Sequence, residues 1–232
     1  MITIRRSDER GGADHGWLKT AHTFSFDTYH DPEHMGFRAL RVVNEDVIQP
    51  GRGFGRHGHR DMEIVTYVLE GALEHGDSMD NVSTLGSGEV QVMSAGRGVM
   101  HSERNASTAD PVHLYQIWLR PERSGLDPRY DQKAFPEAER RNVWQVVVSP
   151  DGRDGSLSIH QDASILLANL DAGAELAREI APERHAWLQV VRGVVALDGA
   201  TLNAGDGAAV GGEPGISIRA RGPAEVMLFD LA

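Results

Sequence analysis

Short apolar runs, each ended by a turn, recur along the whole chain. Runs rich in β-branched and aromatic residues lie at 63–69, 112–119, 143–148 and 187–191. Glycine-containing pairs such as Glu70-Gly71 and Arg192-Gly193 interrupt them at short intervals. Short strands separated by tight turns are typical of antiparallel barrels and sandwiches. Because long amphipathic helical periods are scarce, the pattern predicts an all-β fold.

The same pattern runs along the chain twice. Residues 67–73 align with 189–195, the pair at 88–89 aligns with 205–206, and residues 113–119 align with 225–231. A repeat of about 110 residues is much longer than the ~20–50-residue units of solenoids. The sequence therefore predicts two β domains that arose by duplication.

One polar stretch divides the two copies. Residues 120–141 hold three prolines and many charged side chains, a composition typical of a boundary between domains. We expect a first domain over residues 1–122, a linker over 123–141 and a second domain over 142–232.

Composition narrows the function classes. The 34 acidic and 23 basic side chains give a net charge of −11, which disfavours direct binding to nucleic acid or to anionic membranes. No apolar stretch approaches the ~18 residues of a membrane span, and the first residues lack the apolar centre of a secretory signal. We therefore expect a cytoplasmic protein. With no cysteine, thiolate chemistry is excluded, and the 11 histidines become the main candidates.

Histidines of the first copy form two motifs that suit a metal. His57, His59 and Glu63 share parity, as do His101 and Glu103 further along. Side chains of equal parity lie on one face of a strand, so two neighbouring strands could direct these groups into one interior. Buried ionisable groups are costly unless a partner such as a divalent metal compensates them. The alternative is histidines that satisfy hydrogen bonds in the core or lie on a solvated face.

The motifs resemble those of the cupin barrels. The stretch from Gly51 to Gly71 follows the first cupin motif, and Gly98, His101 and Asn105 match the second. Within the cupins the chain resembles the pirin family, with pirin-like runs at 16–26, 35–42, 93–98, 101–103 and 113–118. The resemblance implies a bicupin, with two antiparallel β-barrel (jelly-roll) domains in one chain.

The resemblance also implies a ligand set. Carried onto this sequence, the four pirin ligands are His57, His59, His101 and Glu103. Two positions depart from the common pattern: Gly96 replaces a proline, and Glu63 lies one residue off the usual spacing. We expect Glu63 to support the ligands or to have a purely structural role, without binding the metal. Three imidazoles and a carboxylate suit Fe(II), which the resemblance favours, as well as Mn, Co, Ni, Cu or Zn.

Bacterial pirin-like proteins are associated with quercetin 2,3-dioxygenase activity, and the resemblance implies the same here. In that reaction the 3-hydroxyl of a flavonol binds the metal and Glu103 takes its proton as general base. Dioxygen then opens the heterocycle, and carbon monoxide and a depside are released. The expected partners are a flavonoid-like small molecule and O2, and the expected state is a monomer.

Two other functions are open. Pirins are also known as iron-binding nuclear co-regulators, so the chain could be a non-catalytic, redox-sensitive regulator of protein partners. A metal-dependent sugar isomerase or decarboxylase is a third possibility, because cupins host many chemistries. An apolar cavity of flavonoid size beside the metal would favour the dioxygenase, whereas a filled or narrow mouth would favour the regulator.

The second copy lacks the motif. Its positions aligned with the first-motif ligands are Glu179, Ala181 and His185, and the region that matches His101, residues 215–219, has no histidine. We expect a packing partner that binds no metal.

Other candidate residues are assigned lesser roles. The histidines expected at the surface are His15, His30, His34, His75 and His160. The arginines expected on the solvated outer face, with substrate steering as the alternative, are Arg52, Arg56, Arg60, Arg97 and Arg104. The residues expected to pack in the core or to cover the mouth of the barrel are Trp17, His22, Phe24 and Phe26. His113 is expected in the core or beside the ligands.

Overall fold

The computed structural model describes all 232 residues and contains 22 strands. The first twelve are β1 (Ile2–Arg5), β2 (Gly11–Asp14), β3 (Leu18–His22), β4 (Leu40–Ile48), β5 (Gly53–His59), β6 (Glu63–Glu70), β7 (Ala72–Asp77), β8 (Val82–Gly86), β9 (Glu89–Ser94), β10 (Val99–Asn105), β11 (Val112–Leu119) and β12 (Arg129–Ala134). The other ten are β13 (Gln145–Ser149), β14 (Leu157–Ser158), β15 (Ala163–Leu170), β16 (Glu175–Glu179), β17 (His185–Arg192), β18 (Val194–Leu197), β19 (Ala200–Asn203), β20 (Gly207–Gly211), β21 (Gly215–Ala220) and β22 (Ala224–Leu231).

The only helical elements are 3-10 turns at Ser7–Glu9, Glu137–Arg140 and Arg153–Gly155. The all-β prediction is confirmed. The four predicted apolar runs fall on β6, β11, β13 and β17, and their ends differ from the observed strands by at most two residues.

The chain divides into two compact units, each built from two sheets. The N-terminal barrel comprises residues 11–134 and 159–161, and the C-terminal barrel comprises residues 1–10, 135–158 and 162–232. In the N-terminal barrel a seven-stranded sheet has the order β12-β9-β6-β11-β4-β3-β2, and a four-stranded sheet has the order β5-β10-β7-β8. The C-terminal barrel has the orders β1-β20-β17-β22-β15-β13-β14 and β16-β21-β18-β19. The two barrels therefore share the order of their central strands, as the repeat predicted, whereas at one edge β2 and β3 are antiparallel and β13 and β14 are parallel.

Two glycine turns show that the sequence alignment of the repeats is also structural. Gly71 and Gly193, at aligned positions, have φ of 79° and 77°, a region that side chains with a Cβ rarely adopt. A Cβ at Gly71 would lie 2.7 Å from the Pro111 carbonyl oxygen, and one at Gly193 would lie 2.3 Å from that of Pro223. Each turn thus depends on glycine for the same two reasons.

The limits of the two units differ from those of the expected domains because of two edge strands, β12 and β1. β12 lies inside the segment expected as a linker, yet it pairs with β9 and closes one edge of the N-terminal barrel. β1, at the start of the chain, pairs with β20 of the C-terminal barrel. Unpaired strand edges are left open to aggregation, so a polar segment that covers one can be structural. The composition of residues 123–141 indicated a linker because edge strands are short and polar.

The two interiors differ in polarity. Eighteen buried apolar residues, including Leu188, Val195, Ile216 and Ile218, form one continuous core in the C-terminal barrel. The N-terminal barrel instead has two separate apolar clusters, one around Leu73 and Leu114 and a smaller one around Ile64 and Met93. This barrel also buries polar side chains, among them Thr66, Gln91 and Glu103.

Candidate metal centre and cavity

The two histidine motifs lie on adjacent strands of the four-stranded sheet. β10 pairs with β5, and the register places His101 opposite His57 and Val99 opposite His59. Because alternate residues of β10 share a face, His101 and Glu103 point to the same interior. The parity of the sequence motifs therefore predicted the shared face correctly.

The three imidazoles meet closely. Nε2 of His57 lies 3.1 Å from Nε2 of His101, and the ring of His59 lies 4.8 Å from that of His57 and 4.9 Å from that of His101. One nitrogen from each ring falls within 4.8 Å of the other two. This spacing allows a single ion to contact all three.

Burial favours the neutral form of two of these histidines, His59 and His101. It lowers the pKa of His101 to about 3, and the neighbouring His57 and His59 lower it further. Burial also lowers the pKa of His59 to about 4, with His57 as the second cause. A neutral imidazole keeps a nitrogen lone pair, which is the form that binds metal.

Glu103 is held by a network of donors. Its carboxylate is 2% exposed. Nε2 of Gln91 donates to Oε1 at 2.7 Å, and Nε2 of Gln116 donates to Oε2 at 2.8 Å. The hydroxyl of Thr66 lies 3.4 Å from Oε1. Burial raises the pKa of Glu103, while the charge of a nearby His75 and the bond from Gln91 act against that rise.

His75 lies in the interior, so the prediction that it is a surface residue is wrong. It is 0% exposed and stands opposite Glu103 in the pairing of β10 with β7. Ligand atoms of His75, His101 and Glu103 also lie within 4.8 Å of one another, forming a second group that could hold a metal. The polar stretch around residue 75 hid this position, although its parity with the buried Leu73 was a usable signal.

β12 extends the network around His75. The ring of Tyr130 stacks on that of His75 with centroids 4.4 Å apart, and the Tyr130 hydroxyl donates to Oε1 of Gln91 at 3.1 Å. Nε2 of His75 lies 3.1 Å from Oδ2 of Asp77. The segment expected as a linker therefore contributes Tyr130, which contacts both His75 and Gln91, two neighbours of Glu103.

The donor set fits a metal ion. Nδ1 of His75 and Nδ1 of His101 are buried without a hydrogen-bond partner, and the carboxylate of Glu103 has no arginine or lysine among its hydrogen-bond partners. A divalent ion would compensate these groups in a way that no side chain here does.

An aromatic cavity of about 530 Å³ opens beside these ligands, and His57, His59, His101 and Glu103 all line it. On one side Phe26 meets Trp118 edge to face at 5.3 Å, and Trp118 meets His59 at 4.9 Å. On the other side Trp17 and Phe54 meet at 5.3 Å. This volume lies within the range of ~300–1,000 Å³ usual for small-molecule sites.

The wall opposite the ligands carries a transverse polar row. The strand registers place His22 beside Asn44, Asn44 beside Gln116, Gln116 beside Thr66 and Thr66 beside Gln91. Residues opposite one another in a ladder share a face, so all five point into the barrel. Gln116, Thr66 and Gln91 hold Glu103, whereas Asn44 and His22 line the cavity.

The candidate aromatic residues and arginines differ in whether they line the cavity. Trp17, His22 and Phe26 line the cavity, whereas Phe24 is buried outside the lining. The five arginines are exposed, in agreement with the predicted outer face; they are Arg52, Arg56, Arg60, Arg97 and Arg104.

Two further predictions concern Glu63 and His113. Glu63 accepts from the Ser94 hydroxyl at 2.7 Å and from the His160 backbone at 3.2 Å, so its contacts are structural and do not reach the proposed ligands. His113 does not reach the site. Its Nε2 lies 3.0 Å from Oε1 of Glu45, and both side chains are partly exposed, because its parity on β11 is opposite to that of Gln116.

The other predicted surface histidines differ in exposure. His15 and His30 are exposed, and His34 and His160 are half-buried. His15 also lines the mouth of the cavity.

The C-terminal barrel has no comparable group of ligands. β16 and β21 take the places of β5 and β10, but Glu179 and Ala181 are exposed and His185 is half-buried. Groups of three or more potential metal ligands occur only in the N-terminal barrel. Across both barrels, no helix has the length and apolar character needed to cross a membrane.

Comparison with known proteins matches both halves of the chain. The family model described as Pirin matches residues 3–119, and the model described as the quercetinase C-terminal cupin domain matches residues 146–231. A protein named quercetin 2,3-dioxygenase from Escherichia coli (strain K12) is 51% identical over 231 residues, which cover 100% of this chain and 99% of that protein.

Solved structures give the same result. The crystal structure of YhhW from Escherichia coli is similar with a TM-score of 0.97 and 51% identity, covering 100% of this chain and 98% of that chain. A structure of the bacterial pirin YhhW in complex with nickel(II) is similar with a TM-score of 0.95, 51% identity and coverage of 100% and 99%.

Proposed function

The chain belongs to the pirin family, and on that premise we propose that it is a metal-dependent quercetin 2,3-dioxygenase, an oxidoreductase that cleaves a flavonol with O2. The observation that carries the proposal is the aromatic cavity of about 530 Å³ that opens directly onto three clustered histidines and a buried carboxylate. A relative with 51% identity over the whole chain bears that enzyme name, which supports it.

The proposed ligands are His57, His59, His101 and Glu103. Three imidazole nitrogens and a carboxylate oxygen form a donor set without soft ligands, which suits Fe(II) and also Mn, Co, Ni, Cu and Zn. We propose Fe(II) as the resident ion. The nickel(II) complex of a relative supports metal binding by this fold. A divalent ion held there would supply Lewis acidity and open positions for substrate and dioxygen.

Glu103 is the proposed general base. The amide donors of Gln91 and Gln116 hold one oxygen each, so the orientation of the carboxylate is fixed, and Glu103 lines the cavity. Burial raises the pKa of Glu103, which makes it a stronger proton acceptor than an exposed glutamate. It would take the proton of the flavonol 3-hydroxyl.

The aromatic walls position the substrate. Trp118 and Phe26 on one side and Trp17 and Phe54 on the other offer ring faces and edges to a flat aromatic molecule. A ligand between them would displace water from the carboxylate, which strengthens electrostatic interactions at the reacting atoms.

The cavity also distinguishes this function from the regulator alternative. A non-catalytic regulator predicts a filled or narrow mouth, whereas the cavity has the volume of a small-molecule site and is lined mainly by aromatic and polar side chains. A cytoplasmic location and a monomeric state stay predictions from the sequence.

The test is O2 uptake and carbon monoxide release with quercetin, on protein loaded with Fe(II) and quantified by elemental analysis. We expect one metal per chain, with uptake and release that depend on that metal. His101→Ala should lose both the metal and the activity, and the matched control His185→Ala should keep both. Metal-loaded protein without uptake, across Fe, Mn, Co, Ni and Cu, would refute the dioxygenase.

A further inference from the structure

Two buried acceptors on β4 have no partner although they line the cavity. Asn44 and Asp46 are 2% and 3% exposed, and Oδ1 of each side chain lacks a hydrogen bond. Both residues line the cavity on the sheet opposite the histidines. A buried acceptor without a partner costs about 1–3 kcal/mol, so such a pair is unusual unless a ligand satisfies it.

Of the two residues, Asp46 is the stronger candidate for a hydrogen-bond acceptor. Thr20, its neighbour across the ladder to β3, provides a side-chain hydrogen bond, while Oδ1 has no partner. Its other ladder neighbour, Leu114, is apolar. No lysine or arginine lines the cavity, and the charged groups that act most on this carboxyl are Glu103, Glu45 and His113.

The surroundings define the chemistry of the ligand. Aromatic rings line the two sides of the cavity, so the ligand presents flat apolar faces there. The unpartnered oxygens of Asn44 and Asp46 demand hydrogen-bond donors, and no lysine or arginine lines the cavity to pair with an anionic ligand group. An aromatic compound with neutral hydroxyl groups meets both demands.

We infer that Asp46 is a specificity-determining residue that accepts a hydrogen bond from an aromatic hydroxyl remote from the metal, with Asn44 beside it as a second acceptor. This inference rests on the proposed function, because it takes the cavity to be the substrate site. Asp46 selects polyhydroxylated aromatic substrates over those that carry only the metal-facing hydroxyl.

A comparison of two ligands distinguishes recognition of a remote hydroxyl from binding of the flavonol skeleton alone. Quercetin and 3-hydroxyflavone share the 3-hydroxyl, but 3-hydroxyflavone lacks the remote hydroxyl groups. Their affinities for metal-loaded protein are measured without O2 through the fluorescence of the tryptophans, two of which, Trp17 and Trp118, line the cavity. The wild-type protein should prefer quercetin by roughly tenfold, the value of one well-formed hydrogen bond.

The variants test Asp46 itself. Asp46→Leu should lose the preference while its affinity for 3-hydroxyflavone stays within about twofold, and Asp46→Asn, which keeps shape and one acceptor, should retain part of it. Glu45→Gln is the matched control, since the neighbouring carboxylate faces His113 outside the cavity. Equal affinities in the wild type, or a preference that survives in Asp46→Leu, would overturn the inference.

Loss of folding is checked by metal stoichiometry and the thermal midpoint of each variant. The two proposals fail separately, because binding without O2 does not require turnover. An Asp46-dependent preference without carbon monoxide release would refute the dioxygenase and keep the role of Asp46. Carbon monoxide release without that preference would do the reverse.

Discussion

His75 stands directly opposite Glu103 across the ladder between β7 and β10, and both side chains are buried. Glu103 therefore has a proposed metal ligand, His101, on its own strand and a fourth clustered histidine, His75, on the next one. His101 belongs to both groups of potential ligands: it lies with His57 and His59 in one and with His75 and Glu103 in the other.

The first prediction concerns His75→Phe. Phenylalanine keeps a ring to stack on Tyr130 but removes the contact with Asp77. We expect the metal stoichiometry to stay at one per chain and the affinity to fall roughly 10–100-fold, as for other residues that orient ligands from behind. Titration with metal against a competing chelator measures this.

The comparison variant is His57→Ala, which should lose the metal outright. Unchanged affinity in His75→Phe would reduce His75 to a packing residue, and lost stoichiometry would make it a ligand.

The second prediction concerns Glu103→Gln. An amide oxygen can still face the ion, so much of the metal should be retained, but the amide cannot accept the substrate proton. Turnover should fall at least about 100-fold, the usual contribution of a general base. The measurement is O2 uptake per bound metal.

Glu63→Gln serves as the control, because Glu63 is also a buried carboxylate of this barrel but is bonded to Ser94 and His160. It should keep its turnover per metal. Wild-type turnover in Glu103→Gln would remove Glu103 as the base.

The third prediction concerns the two glycine turns. Gly71→Ala and Gly193→Ala force a Cβ into a left-handed backbone and against a carbonyl oxygen, so each should destabilise its barrel by about 1–3 kcal/mol or more. Thermal unfolding measures the loss.

Gly222→Ala is the control, since no atom lies within 4 Å of a Cβ there, and it should change stability by less than about 0.5 kcal/mol. An equal loss in all three variants would show that the two turns have no special demand for glycine.

The fourth prediction is a pH dependence that Asp46 causes in metal-free protein. Burial is the largest cause that raises its pKa, from 3.8 to about 7. Between these values the folded chain binds more protons than the unfolded chain, so the stability of the wild type falls as the pH rises. Asp46→Asn lacks this titration. Its free energy of unfolding relative to that of the wild type should therefore rise between pH 3.8 and about 7, by at most roughly 4 kcal/mol.

Urea unfolding at about pH 4 and about pH 8 gives the difference in unfolding free energy between the two proteins. Glu45→Gln should show no comparable gain. A difference that stays constant between the two pH values would contradict the raised pKa.

The sequence by itself determined the strands, the duplication and the shared face of the four proposed ligands. Those properties follow from local rules: alternation along a strand gave His57 with His59 and His101 with Glu103, and glycine turns gave the repeat. The aligned residues Gly88 and Gly205 donate equivalent backbone bonds to Val68 and Val190, so the alignment extended to single hydrogen bonds.

The tertiary structure alone decided which distant residues meet. His75, Asp46 and Tyr130 lie in polar stretches whose composition resembles that of a solvated surface, and among them only His75 has a local signal of burial, its parity with Leu73. Their burial depends on which strands are neighbours and in which register: β7 beside β10, β4 between β3 and β11, and β12 beside β9. Register is set by backbone pairing between segments far apart in sequence, and the alternation within one strand does not contain that information.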